Sequence, residues 1–228
     1  CVLRLKCLRP SALEFLQGFV LLKNDAGALP LQPKKKVAVL GPGSTSANWQ
    51  LGNYHERAAP PGVLLSPCDG MKAHAGEDTV SCASPSNCTV GGNASVSTCF
   101  DSASKAAIEA ADVVVVLVGA SALCTRLRPV GSVHSVQLPI VAATGVDGSQ
   151  EAEGHDKTSL TLPGTQLAML DDITAAVAGS QKSVILGVMG GSAVDLTAMK
   201  ASPTIRSIVW LGYPGQVDCL SLSLSLSL

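Results

Sequence analysis

The chain has 228 residues, 46% apolar and 14% charged, which suits one large domain or two small ones with a real core and argues against disorder along the whole chain. A formal net charge of −1 supplies no clustered excess of Lys and Arg, so nucleic acid and anionic membrane surfaces are not expected partners. The longest apolar run, 111–124, is shorter than the roughly 18 residues of a bilayer span.

In chain order, residues 1–7 show no secretory pattern, because charges break the apolar run and no small-residue cleavage site follows. The first residue is Cys1 rather than Met, and the chain is expected to be a fragment. The basic run Lys34-Lys35-Lys36 reads as a solvated edge before a buried strand over 36–41, which Gly41-Pro42-Gly43 stops. Residues 102–111 form an Ala-rich helix that feeds into the strongest strand, 112–119. Its consecutive valines suit a strand covered on both faces, as in parallel sheets. A basic stretch without periodicity, 120–144, precedes an acidic loop. A helix over 164–178 follows Pro163, has Leu167, Leu170, Ile173 and Val177 as its apolar positions, and stops at Gly179. A strand over 183–189, a shorter helix over 193–200 ended by Ser202-Pro203, and a strand over 207–212 complete the pattern. Strands alternating with helices predict an α/β fold: a doubly wound, mainly parallel sheet, flavodoxin-like in its sandwich architecture. The strictly alternating Ser-Leu tail, 221–228, reads as a half-buried strand or as a translated TC repeat, and the repeat is preferred.

Eight cysteines are many for this length, and Cys68, Cys82, Cys88 and Cys99 crowd into one polar stretch. No paired CxxC motifs accompany the four scattered histidines, so no metal site is expected. The same stretch holds two N-glycosylation sequons, at Asn87 and Asn93, which with the cysteines favour an oxidising secretory compartment. Gly41-Pro42-Gly43 lacks the full GxGxxG pattern and a downstream ribose-binding acid, so a nucleotide cofactor is not expected; no cofactor of any kind is implied.

A set of segments runs through the chain in order: Gly18 to Asp25 with Leu29-Pro30-Leu31, Lys36 to Pro42, Leu51-Gly52-Asn53-Tyr54, and Ser66-Pro67 with Asp69-Gly70-Met71-Lys72. Asp112 to Gly119, Val146 to Gly154, Ser159 to Gly164, Val184 to Asp195, and Trp210-Leu211-Gly212-Tyr213-Pro214-Gly215 follow. Together, and in the family's order, they resemble the C-terminal α/β domain of family 3 glycoside hydrolases of the β-xylosidase/β-glucosidase type. The resemblance covers most of residues 12–216, taken as the domain. It is interrupted at 120–144, which looks like translated intron sequence, and residues 1–11 and 217–228 are taken as extensions. Lys157 stands after Asp156 where the family usually carries Arg.

The resemblance implies a retaining, exo-acting β-glycosidase in xylan and cell-wall carbohydrate breakdown, extracellular or in the cell wall. Such enzymes use two carboxyl groups about 5–5.5 Å apart. The family's nucleophile lies on an N-terminal barrel, which this chain lacks, and its acid/base on the loop after the Val strand. Glu151 is the first candidate and Glu153 the second; spacing by two puts both on one face of an extended segment. Asp147 and Asp156 flank them, either binding a sugar hydroxyl or holding the loop, and Asn53 and Tyr54 either border the sugar subsite or form a turn with a core tyrosine. An oligosaccharide or aryl glycoside is the expected substrate. The chain by itself is expected to be inactive, and a catalytically inactive sugar-binding or structural α/β domain is the alternative.

Overall fold

A computed structural model of the chain describes residues 18–52, 64–84, 100–120 and 157–215. Among the described residues six strands form one sheet: β1 (Val20–Asn24), β2 (Val37–Leu40), β3 (Val80–Ala83), β4 (Val113–Gly119), β5 (Ser183–Met189) and β6 (Ile205–Gly212). Their order is β1-β6-β5-β4-β2-β3, with every neighbouring pair parallel except the antiparallel β1–β6 edge. Without β1 this is the flavodoxin-like order, in which the winding direction reverses between the first and third strands, here β2 and β4.

The Val run of β4 explains its central place. Val114, Val116 and Val118 face one core, Val115 and Leu117 the other, and all five are at most 1% exposed. The first core is covered by α2 (Ser102–Ala110), α3 (Gln166–Val177) and α4 (Thr197–Ala201). The second is covered by Met71 of α1 (Pro67–Ala75), Trp49 of a 3-10 turn (Ala47–Gln50) and Leu29. Burying apolar surface on both sides of one sheet is what the parallel arrangement requires.

Local chemistry sets the helix ends. Ser66 caps α1: its hydroxyl accepts the Asp69 amide at 3.2 Å while the Asp69 carboxylate takes the Ser66 amide at 3.3 Å, with Pro67 in the first turn. Asp101 caps α2 by accepting the Ser104 amide at 2.8 Å. At the other end of α2 the Lys182 ammonium donates to the carbonyls of Ile108 (2.6 Å) and Glu109 (2.9 Å), tying that helix end to the approach to β5.

Three readings of the sequence are corrected. The buried stripe of α3 is Gln166, Met169, Leu170, Ile173 and Val177, and Leu167 points outward at 38% exposure, because the helix turns its Gln166 side chain inward. Helix α4 begins at Thr197 rather than 193, since the Asp195 carboxylate takes both the amide (2.9 Å) and hydroxyl (2.6 Å) of Thr197 and holds the preceding residues in a loop. Ala120, placed in the intervening stretch, is 3% exposed and its amide donates to the Met189 carbonyl at 3.0 Å, extending the β4–β5 ladder by one residue.

A disulfide joins Cys68, in the first turn of α1, to Cys82 on the edge strand β3, with Cα atoms 6.1 Å apart. The sequence left its pairing open.

The hydroxyl of Ser104 is buried without a hydrogen-bond partner. An unpaired buried hydroxyl costs about 1–3 kcal/mol, and Ala is also the better helix former. Ser104→Ala is therefore expected to stabilise the fold by about 1–2 kcal/mol, raising the urea midpoint. A lowered midpoint would show that the hydroxyl is satisfied in solution.

Candidate functional site

In an open α/β sheet, ligands meet the edge where the parallel strands end, at the point where the winding reverses. Here that edge is built from the turns after β2, β4, β5 and β6, and these turns are laced to one another. The Gly190 amide donates to the Gly212 carbonyl at 3.0 Å and the Gly215 amide to the Gln50 carbonyl at 2.8 Å. The Tyr213 ring packs on Gly52, leaving 3.1 Å for a Cβ there. Leu51-Gly52 and the Trp-Leu-Gly-Tyr-Pro-Gly segment thus meet, although more than 150 residues separate them in the sequence.

The turn after β2 is filled by packing. Gly41 has φ +100, and a Cβ on it would lie 2.2 Å from the Leu117 carbonyl oxygen. Gly43 fits among Trp49, Met189 and Leu117, and the buried Ser44 hydroxyl donates to the Ala83 carbonyl at 3.2 Å. These glycines serve close backbone approach at the reversal point, which gives Gly41-Pro42-Gly43 a role other than cradling phosphate.

The chain leaves β4 through Gly119 and Ala120 and returns at Lys157. The Lys157 ammonium donates to the Ala193 carbonyl at 3.2 Å, and the Asp195 amide donates to the Leu160 carbonyl at 2.8 Å. The returning leg therefore lies along the turn after β5. Next to it, Val20, Leu22, Val194, Asp195, Lys200 and Trp210 line a cavity of about 490 Å³. The Thr197 hydroxyl first, and its amide second, hold the exposed Asp195 carboxyl below its ordinary pKa against a smaller opposing effect of desolvation. Asp195 is accordingly an anion at neutral pH.

The carboxylates read from the sequence, Glu151, Glu153, Asp147 and Asp156, lie outside the described residues, as do Asn53, Tyr54, Asn87 and Asn93. Their described neighbours are Gly52, which precedes Asn53, and Ala120 and Lys157, which bracket the acidic segment; all three belong to the strand-end edge. Among the described residues no group of three or more His, Cys, Asp or Glu converges as a metal site would require.

Gln166 was missed by the sequence reading. Its side chain is fully buried at the start of α3, and it pairs with the peptide group of Gly119 twice: the Gly119 amide donates to Oε1 at 2.8 Å, and Nε2 donates to the Gly119 carbonyl at 2.7 Å. Its place three positions before Met169 lines it up with the buried stripe of α3, but nothing in the sequence says why a polar side chain there turns inward.

Fold and strand-end loops together define a flavodoxin-like α/β domain with an antiparallel strand added at one edge of its sheet. The family model described as the glycosyl hydrolase family 3 C-terminal domain matches residues 19–224, and the chain belongs to that family. It is 33% identical over 212 residues to Beta-D-xylosidase 3 of Arabidopsis thaliana, covering 91% of this chain and 22% of the relative. It is 32% identical, with the same two coverages, to a probable exo-1,4-beta-xylosidase of Aspergillus japonicus. Among solved structures, a GH3 exo-beta-xylosidase (XlnD) in complex with a xylobiose aziridine activity based probe superposes with a TM-score of 0.71 at 28% identity, covering 99% of this chain and 24% of that one. A beta-glucosidase from Listeria innocua shares the fold at a TM-score of 0.68 and 20% identity. The chain thus spans about a fifth of the length of the curated relatives it matches.

Proposed function

We propose that this chain carries the general acid/base of a retaining, exo-acting β-glycosidase, a β-xylosidase or β-glucosidase, whose nucleophile lies on a barrel domain of the same enzyme. The observation that carries the reading is the similarity to xylosidases over 91% of the chain, combined with an acidic sequence, 147–156, that falls in the chain between Ala120 and Lys157, two residues at the strand-end edge. In such a reaction one carboxylate attacks the anomeric carbon while the other protonates the departing oxygen, then deprotonates the water that releases the sugar. Glu151 is assigned the second role, with Glu153 next. Asp147 and Asp156, with Asn53 and Tyr54, are assigned to the rim of the sugar subsite. The Cys68–Cys82 disulfide supports folding in an oxidising, secretory compartment with glycans on Asn87 and Asn93, and an extracellular or cell-wall site of action.

The test is made in a two-domain enzyme containing this chain. Replacing the true acid/base by Ala is expected to lower turnover by about 10²–10⁴-fold on substrates with poor leaving groups. The loss should be least for dinitrophenyl glycosides, whose leaving group needs little protonation, and azide should restore turnover by attacking the glycosyl-enzyme. If neither Glu151→Ala nor Glu153→Ala shows this leaving-group dependence, the acid lies elsewhere. A two-domain product that releases no nitrophenol from aryl β-xyloside or aryl β-glucoside would instead indicate a sugar-binding or structural α/β domain. The 228-residue chain alone is expected to give no turnover above a Glu151→Ala/Glu153→Ala control, because the covalent path has no nucleophile.

A further inference from the structure

We propose that the cleft where the chain enters β2 binds a small organic carboxylate with an apolar body, an aryl monocarboxylate for example, held by Lys34 and Lys35. The cleft encloses about 380 Å³, a volume suited to a small molecule, and lies where the parallel strands begin, at the end of the sheet opposite the strand-end edge. Much of its lining is apolar: Val37 and Met71 are buried, and Pro30, Leu31, Pro33 and Ala75 join them. Its charge is positive. Lys34 and Lys35 come from the turn before β2, and His74 from the last turn of α1. Among the described residues no carboxylate lines the cleft. Glu77 and Asp78, the acids beside Thr79 in the sequence, do not line it, and Glu77 is paired with Lys72 at 3.1 Å. Lys34 and Lys35 form no ion pair among the described residues. Two unpaired ammonium groups beside apolar surface call for an anion. A lysine is a point charge without the fork of arginine, and a phosphate would lose hydration against the apolar lining. A single carboxylate on an apolar body satisfies both features.

The backbone supplies a second, independent observation. Gln32-Pro33-Lys34-Lys35 is a turn closed by the Lys35 amide, which donates to the Gln32 carbonyl at 3.4 Å, and Lys34 at its third position has a φ of +67. With Pro second, this third position is the one a type II turn gives to Gly. A lysine there carries a backbone cost that glycine would avoid. What the chain gains is a basic side chain at the cleft. Strain kept at a residue that lines a cavity is accounted for by binding, not by folding.

The experiment measures binding by calorimetry in the two-domain enzyme containing this chain. Phenylacetate is the probe, with its uncharged amide, phenylacetamide, and inorganic phosphate as comparisons. Phenylacetate is expected to bind with a Kd of about 1 mM or below, and the other two at least about tenfold more weakly. Lys34→Gly and Lys35→Ala should each weaken phenylacetate about tenfold. Lys36→Ala removes the same charge from a residue that does not line the cleft, and should leave the affinity within about twofold. Bound phenylacetate should slow hydrogen exchange in the peptides covering 30–37 and 71–79. Lys34→Gly should also hold or raise the urea midpoint, so that its lost affinity is not a loss of fold. No binding, equal binding of phenylacetamide or of phosphate, equal losses for all three lysine variants, or protection confined to other peptides overturns the proposal. A lowered midpoint for Lys34→Gly overturns it as well, by assigning Lys34 to the fold.

Discussion

Gly119→Ala is expected to prevent native folding of this domain. A Cβ at Gly119 would lie 1.7 Å from the Met189 carbonyl oxygen and 2.7 Å from its carbon, both backbone atoms of the adjacent strand. No side-chain rotation relieves that overlap; β4 and β5 would have to part at their ends, breaking the Ala120–Met189 hydrogen bond and unseating Gln166. The φ of +138 adds backbone strain, since side chains bearing a Cβ rarely adopt it. The loss should exceed about 4 kcal/mol, a large share of the 5–15 kcal/mol that keeps a typical domain folded. Gly179→Ala is the control. Gly179 also has a positive φ, +75, but nothing lies within 4 Å of the added methyl, so its cost should be only about 1–2 kcal/mol. Urea denaturation of the two variants side by side decides the matter, and equal midpoints would refute the steric argument.

Removing the Cys68–Cys82 disulfide has the next largest expected effect. The bond closes a loop with a sequence separation of 14, and a cross-link of that size contributes about 3 kcal/mol by restricting the unfolded chain. Its local effect should be uneven. Among the described residues strand β3 pairs with β2 alone, so the disulfide and the contacts of α1 and α2 hold it beside that single ladder. In a Cys68→Ser/Cys82→Ser variant, hydrogen exchange is expected to accelerate first across β3 and α1, with β4 and β5 still protected. Unchanged stability and exchange would mean that the packing of Met71 and Val80 suffices without the cross-link.

Where a segment's own residues dictated one outcome, it was legible without the structure. The valines of β4, the apolar runs of β5 and β6, and the short run of β2 stop at Gly or polar residues and lie within two residues of their expected bounds. The helices were legible too, α2 from its Ala-rich composition and α3 from the helical spacing of Leu170, Ile173 and Val177. The acidic segment was readable as a candidate only through resemblance. Nothing in the spacing of Glu151 and Glu153 by itself separates a catalytic acid from a solvated loop carboxylate.

Other features depended on partners far away in the chain. Val80-Ser81-Cys82-Ala83 is a four-residue segment in a polar stretch, and it becomes a strand because β2 offers its free edge and Cys68 bonds to it. Strand β1, with Val20 and Leu21 half exposed, exists because β6 pairs with it antiparallel and Ser207 donates to the Lys23 carbonyl at 3.0 Å, 184 residues away. The inward turn of Gln166 likewise cannot be read from α3, because its reason is a peptide group left without a strand on β4. The sequence by itself determined the fold class, the central strands and the family, since hydrophobic period and short motifs are local properties of the chain. The tertiary structure alone decided the edge strands, the disulfide pairing and the clamp on Gly119, because each satisfies a bond or a surface that exists only after the sheet has formed.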